Sequence, residues 1–370
     1  MAPPSDPPRP LLTDDERRLL TDPAAFAEAA SKGPVLLNDR TVEGLEIRDM
    51  VFSAVRWTGV DFRMAKFSAT RFTGAELREV TFTRCNLDHV AFESSSLDQC
   101  TFDFTELGRV RISDSNAVKL VLSGCTCKDV VFERSEFESM TDQLSTFTRT
   151  RWDDVRWKAP EFRGTRFDKI QVENTLIAGG TLTGVTLTDA QGRSLILQGT
   201  LVDGLDFVLG TWTALTFDGI HGRTLRLTEV GVTGLSLLAC GELVGVAIAG
   251  GSVAGLAIDR CPTLGLVSFG QVPIRGLMVS DSFIDGAYWQ GCTITDDSSI
   301  ERTALAGLTL TGSRVYALAI RDAQFTVGLR LEGAYFEGLV LERISYAPDL
   351  DLRTDGLSYG PGARFPTRTP

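Results

Sequence analysis

The 370 residues carry 48 acidic and 37 basic side chains, for a net charge of −11, and 43% of them are apolar, a composition that excludes an intrinsically disordered chain. The acidity is shared, with 24 acidic and 18 basic side chains over residues 1–150 against 24 and 19 over the remainder. Without a basic stretch, nonspecific binding to nucleic acid is disfavoured.

The N-terminal MAPPSDPPRPLLTDDERR lacks the charged start and apolar centre of a secretory signal, and none of the four Asn residues lies in a glycosylation sequon. The chain therefore reads as cytoplasmic. Thr13 followed three residues later by Glu16 is a capping box, and Asp22, Pro23 and Gly33 bracket a second short helix. Leu19, Leu20 and Phe26 on these helices are placed to cover whatever follows.

From Val42 to Leu237, stepping by five gives forty positions, of which only Asp142, Gly192 and Gly222 are not apolar. Two residues before each centre lies a second restricted position, occupied in one run by Ala65, Thr70, Ala75, Val80, Cys85, Val90, Ser95 and Cys100. A separation of two puts both side chains on one side of an extended segment, and the other three residues must turn the chain. Four such turns close a square coil of twenty residues, so Phe72 should lie on Phe92, Phe82 on Phe102, Leu77 on Leu97 and Leu87 on Leu107. Beyond Leu237 the series resumes with one-residue slips, through Leu243, Leu264, Ile300 and Leu331 to Tyr346, which corner bulges can absorb.

Here the sequence resembles the pentapeptide-repeat family, whose motif is roughly Ala-Asp/Asn-Leu followed by two variable residues. The matching stretches include AELRE at Ala75–Glu79, CNLDH at Cys85–His89 and SSLDQ at Ser95–Gln99. The resemblance implies an all-β solenoid, a right-handed quadrilateral β-helix of about fifteen coils, behind a short α-helical cap. The expected organisation is a tail and helical cap at 1–41, regular repeats at 42–240, continuing repeats with register slips at 241–346, and a C-terminal cap or tail at 347–370. The sequence departs from the family in Leu195, Leu205, Leu215, Leu225 and Leu235, which replace small residues at alternate inner positions.

Little in the chain suggests chemistry. His89 and His221, the two histidines, fall at outward positions, and seven cysteines, four of them at the small inner position, read as reduced and buried. Cys125 and Cys127 point inward from one repeat with no histidine nearby, so no metal site is expected. The pairs Asp14–Asp15, Asp153–Asp154 and Asp296–Asp297 lie far apart in sequence, and no phosphate-binding glycine motif opens a helix. An enzyme is not expected, and no cofactor. Asp142 implies a local opening of the coil, a protrusion, or a hydrogen-bonded buried carboxylate.

The stretch Leu243–Ile258 is sixteen residues without charge, too short to span a membrane. Its outward residues Val244, Ala247, Ala249, Ala254 and Ala257 form a candidate interface, the alternative being that they merely shape the coil. By the resemblance, the chain is a noncatalytic interaction scaffold, an adaptor or effector-loading protein of a bacterial secretion or contractile-injection system. Its partners would then be proteins, such as secretion-system components or a toxin, with a homodimer also allowed. The alternative is a DNA mimic directed at a type II topoisomerase such as gyrase. That role would use the acidic face of Glu93, Asp114, Glu133, Asp153 and Asp154, although Arg71, Arg111, Arg134 and Arg151 share it.

Overall fold

A computed structural model describes residues 9–347, 350–356 and 358–360, so the segment expected as a C-terminal cap lies largely outside the described residues. Two short helices precede a parallel β-solenoid. The chain divides into two compact units, Met1–Gln171 and Val172–Pro370. No helix among the described residues is long and apolar enough to cross a membrane.

In the first unit each repeat contributes a three-residue strand with its central residue buried and its flanks outward, as in Thr81–Thr83 and Asn86–Asp88. Every strand pairs in parallel with the fourth one on, so Phe62, Phe82 and Phe102 lie in one column and Leu77 and Leu97 in another. Four strands per coil make the coil four-sided. Corners are closed by residues at positive φ, among them Arg84 at 51°, His89 at 55° and Arg109 at 53°. L-residues adopt this conformation at a cost of about 1–2 kcal/mol each, which is offset because it keeps the corner amide on the ladder: Arg84 N donates to Asp103 O at 2.9 Å and His89 N to Gly108 O at 3.0 Å.

The columns are packed as their register requires. Phe72 and Phe92 stack with centroids 4.9 Å apart and planes 9° from parallel, and Phe82 and Phe102 at 4.8 Å and 6°. Each buried ring contributes roughly 1.5–3 kcal/mol by leaving water, before the offset-stacking gain. The small inner position has a polar reason as well as a steric one. Ala75 N donates to Ser95 Oγ at 3.1 Å, Ser95 N to Ser115 Oγ at 3.0 Å and Ser115 N to Ser135 Oγ at 3.2 Å. Each hydroxyl in turn donates to carbonyls, as Ser95 Oγ does to Glu93 O at 2.9 Å. Buried amides are thereby satisfied by a serine one coil on.

Helices α1 (Asp14–Thr21) and α2 (Pro23–Ala30) close the first coil. Thr13 and Glu16 form the reciprocal capping box, and Asp22 Oδ1 accepts from Ala24 N at 2.9 Å. Leu20 and Phe26 are buried, with the Phe26 ring edge-on to Phe52 at 5.0 Å, while Leu19 is half-buried. The ladder begins before residue 42, since Leu36 already pairs with Arg56.

In the second unit the extended backbone runs through corners, giving strands as long as Thr181–Gln198 and Leu201–Asp218. Leu195, Leu215 and Leu235 stack inward in one column. Later coils alternate between registers of twenty and twenty-one residues, as in Phe269↔Trp289 against Ile248↔Phe269. Bulges lie between Gly241 and Leu243 and between Leu305 and Gly307. The ladder continues past Tyr346, with Asp351–Arg353 paired to Gly328–Arg330 and Ser358–Tyr359 to Tyr335–Phe336.

Two interruptions of the apolar series are explained by space. A Cβ on Gly192 would lie 2.1 Å from Cζ3 of Trp212 in the next coil, so the indole occupies the volume that a side chain at 192 would fill. At Gly222 φ is 120° and a Cβ would lie 2.1 Å from Val202 O. Gly192→Leu, which restores the sequence pattern, is therefore expected to destabilise by about 1–3 kcal/mol through overpacking, with Trp212→Leu in the same chain recovering most of the loss. Urea unfolding of the two single variants and the double variant measures this, and additive losses would contradict it.

Candidate interaction surfaces

The structure turns all five candidate interface residues outward, with Val244 and Ala249 exposed and Ala247, Ala254 and Ala257 half-buried. It does not gather them. Ala247 and Ala249 flank the inward Ile248, whereas Ala254 follows Val253 and Ala257 precedes Ile258 on the next two sides of the coil. What Ala247 and Ala249 join is a face that runs along the solenoid. Ala247 stacks on Ser268, Tyr288 and Thr309, and Ala249 on Gly270, Gln290 and Thr311. Two large residues absent from the sequence-based set stand on it: Leu266 and Tyr288, 48% and 52% exposed. Both lie over Gly286, where a Cβ would come within 2.9 Å of Tyr288 Cε2 and 3.5 Å of Leu266 Cδ1. These columns carry no charge of their own across four coils; the Ala247 column ends at Arg226 on one side and Arg330 on the other, while the Ala249 column continues to Thr228, with the Glu229 carboxylate over the Gly250 corner beside it. Windows of consecutive residues could not reveal it, because its members are twenty or twenty-one residues apart.

On the acidic face Glu93, Glu133 and Asp153 share one column, with Asp114 and Asp154 on the corner beside it, and all of these carboxylates but Asp154 are paired with arginine among the described residues. Arg134 clamps Asp114 through Nε and Nη2 at 2.7 and 2.8 Å, and the Arg134 guanidinium holds that carboxyl below its usual range. Glu133 is bonded by both Arg111 and Arg134, Arg151 reaches Asp153 at 2.8 Å, and Arg71 lies 3.5 Å from Glu93. Five carboxylates thus share their face with four guanidiniums. The same arrangement recurs at other corners. Arg109 binds Asp88 and Arg149 binds Asp129, while Arg260, Asp281, Arg302, Asp322 and Arg343 follow one another in a single corner column of the second unit. Such exposed pairs contribute little stability individually. Their effect is on the field, which on the acidic face they reduce to the excess of one carboxylate.

The residues considered for chemistry do not converge. His89 and His221 are exposed, and His89 Nδ1 lies 3.2 Å from an Asp88 carboxylate already held by Arg109. All seven cysteines are unpaired and buried. Burial pushes the Cys85 thiol up to about 11 and the Cys100 thiol up to about 12, far from the values of reactive thiols. Among the described residues no cluster of three or more His, Cys, Asp or Glu side chains has the geometry of a metal site.

Asp142 neither opens the coil nor protrudes. Strand Thr141–Gln143 keeps its register with Leu122 on one side and Phe162 on the other, and the carboxylate is wholly buried. The Thr165 hydroxyl donates to Oδ2, and Oδ1 has no hydrogen-bond partner. Burial raises its pKa, and the Thr165 hydroxyl, with Ser145 nearby, offsets this only in part. A carboxyl whose folded pKa is raised stabilises the fold below its unfolded pKa and loses that contribution as pH rises through the folded value. Asp142→Leu is therefore expected to gain about 1–3 kcal/mol over the parent near neutral pH and less near about pH 4. Denaturant unfolding at both pH values tests this; a gain independent of pH would place its cause outside the carboxyl.

Residues 35–102 match the family model described as a pentapeptide repeat region. No curated protein matches the chain. Among solved structures, the plasmid-mediated fluoroquinolone resistance protein QnrB1 is similar at 15% identity over 47% of this chain and 91% of its own, with a TM-score of 0.37. HetL, a pentapeptide repeat protein involved in heterocyst differentiation regulation from the cyanobacterium Nostoc sp. strain PCC 7120, is 13% identical over 50% and 90%, with a TM-score of 0.22. The A-module of the Azotobacter vinelandii mannuronan C-5 epimerase AlgE4 is 13% identical over 96% and 97%, with a TM-score of 0.28. At these scores no activity transfers, and the fold is established by the strand registers above.

Proposed function

Because the chain is a pentapeptide-repeat protein whose coils turn regular, hydrogen-bonded sides to solvent, we propose that it is a noncatalytic scaffold for protein partners. The observation that carries this reading is the charge-free face of the second unit, where Leu266 and Tyr288 stand exposed over Gly286 among alanine, serine, threonine and glycine. In a chain of net charge −11, a surface that keeps four coils free of charge suits desolvation against another protein, and tyrosine is among the side chains that anchor such contacts. The paired arginines on the acidic face weigh against a DNA mimic, which needs an uncompensated negative array.

Within this role, the finer reading is a cytoplasmic adaptor or effector-loading protein of a secretion or contractile-injection machine. Its support is likeness to large, irregular members of the family. Affinity copurification at native expression, with mass spectrometry of the bound proteins, is expected to recover such machinery or a toxin. Ala249→Glu should leave the circular dichroism spectrum intact and lower that recovery about tenfold or more, the scale of a buried unpaired charge, whereas Ala254→Glu, on another side of the coil, should lower it much less. Equal recovery by parent and Ala249→Glu would remove the face from the interaction. Recovery of gyrase subunits in its place would overturn the adaptor reading in favour of the topoisomerase one.

A further inference from the structure

One side of the first unit is formed by the stacked strands Asp61–Arg63, Thr81–Thr83 and Thr101–Asp103. The middle coil presents two short threonines where its neighbours present Asp61, Arg63 and Asp103, and the side is dished there into a cavity of about 350 Å³. Its apolar walls are Met64 and Phe104, 52% and 62% exposed, on the corners above and below Arg84. The Phe104 wall is preformed. Its ring rests against the next corner, where a Cβ on Gly124 would come within 2.8 Å of Phe104 Cε1, so glycine there leaves the ring its place.

The polar groups of this cavity differ from those elsewhere on the unit. Asp88, Asp114 and Asp129 are each clamped by an arginine one coil on. In the cavity, Arg63 Nε donates to Asp61 Oδ2 at 2.6 Å while Asp61 Oδ1 has no partner. The Arg84 guanidinium and the Asp103 carboxylate form no ion pair with a described residue. Two carboxylates and two guanidiniums line the site, so neither a polyanion nor a polycation gains from the field. A peptide group fits, since it is neutral and carries one donor and one acceptor.

We propose that this depression docks an extended, uncharged segment of a protein partner that inserts one large apolar side chain between Met64 and Phe104. The flanking peptide N–H groups meet Asp103 and a carbonyl meets Arg84. Aromatic and arginine side chains gathered around a recess are the usual makings of a dominant contact. The proposal takes only its class of partner from the scaffold reading; its site belongs to the first unit and the charge-free face to the second, and a small probe tests it without the partner.

The test uses ¹³C-methyl labelled methionine in the full chain, titrated with N-acetyl-phenylalanine amide. Met278, exposed on the second unit, is the internal control. The expected result is a saturable shift of the Met64 methyl in the millimolar range with Met278 unmoved, and a weakening of about tenfold in Phe104→Ala and severalfold in Arg84→Gln. Both variants alter outward side chains, and an unchanged circular dichroism spectrum verifies their fold. Absence of a saturable Met64 shift, or equal shifts with N-acetyl-arginine amide or N-acetyl-glutamate amide, would overturn the proposal while leaving the copurification result untouched.

Discussion

Hydrogen bonding between residues one coil apart is the constraint on which everything else in this protein depends. In the first unit each strand has only three residues, too few for stability by itself, and gains it by pairing with similar strands above and below. That pairing fixes every side chain into a vertical column. An inward column then has to be filled by residues that stack on one another, which is why Phe82 meets Phe102 and Leu77 meets Leu97. A polar residue in such a column must find its partner within the column system, as the Ser95 hydroxyl does by accepting from Ala75 N and donating to Glu93 O and as Asp142 does incompletely through Thr165.

The same constraint shapes the surface. Outward positions are free of packing demands, so their chemistry varies, but register decides which of them become neighbours. An arginine placed twenty or twenty-one residues after an aspartate lands directly beside it, and the acidic excess of the whole chain thereby coexists with faces that are nearly balanced. Where no charge was placed for four coils, a neutral face results. Where short threonines fall between longer neighbours, a recess results.

This explains how much could be read from the sequence. The five-residue series gave the fold, the coil size and the core columns, because an inward centre is constrained whatever its neighbours are. The one-residue slips after Leu237 were visible for the same reason. Leu266 and Tyr288 were missed because their relation to Ala247 exists only through columns whose spacing changes between twenty and twenty-one. Met64 and Phe104 were missed because a corner position carries no apolar signal of its own. Asp142 stood out as an anomaly, but its hydrogen-bond partner is twenty-three residues away, and an opened coil was an equally consistent reading until the strand register was known.

The alternation along corner columns has a bearing on how such a chain finds its fold. A ladder of near-identical rungs is degenerate, since a strand that skipped a rung would meet almost the same backbone partner and almost the same core. Arg260, Asp281, Arg302, Asp322 and Arg343 repeat every second rung, so an assembly error of one coil sets arginine against arginine and aspartate against aspartate. Phe104 over Gly124 and Leu144 over Gly164 do the same with size, because a skipped rung would bring Phe104 onto Leu144. The corners thus act as a parity check on the count of coils, written in residues that neither pack the core nor add appreciably to its stability.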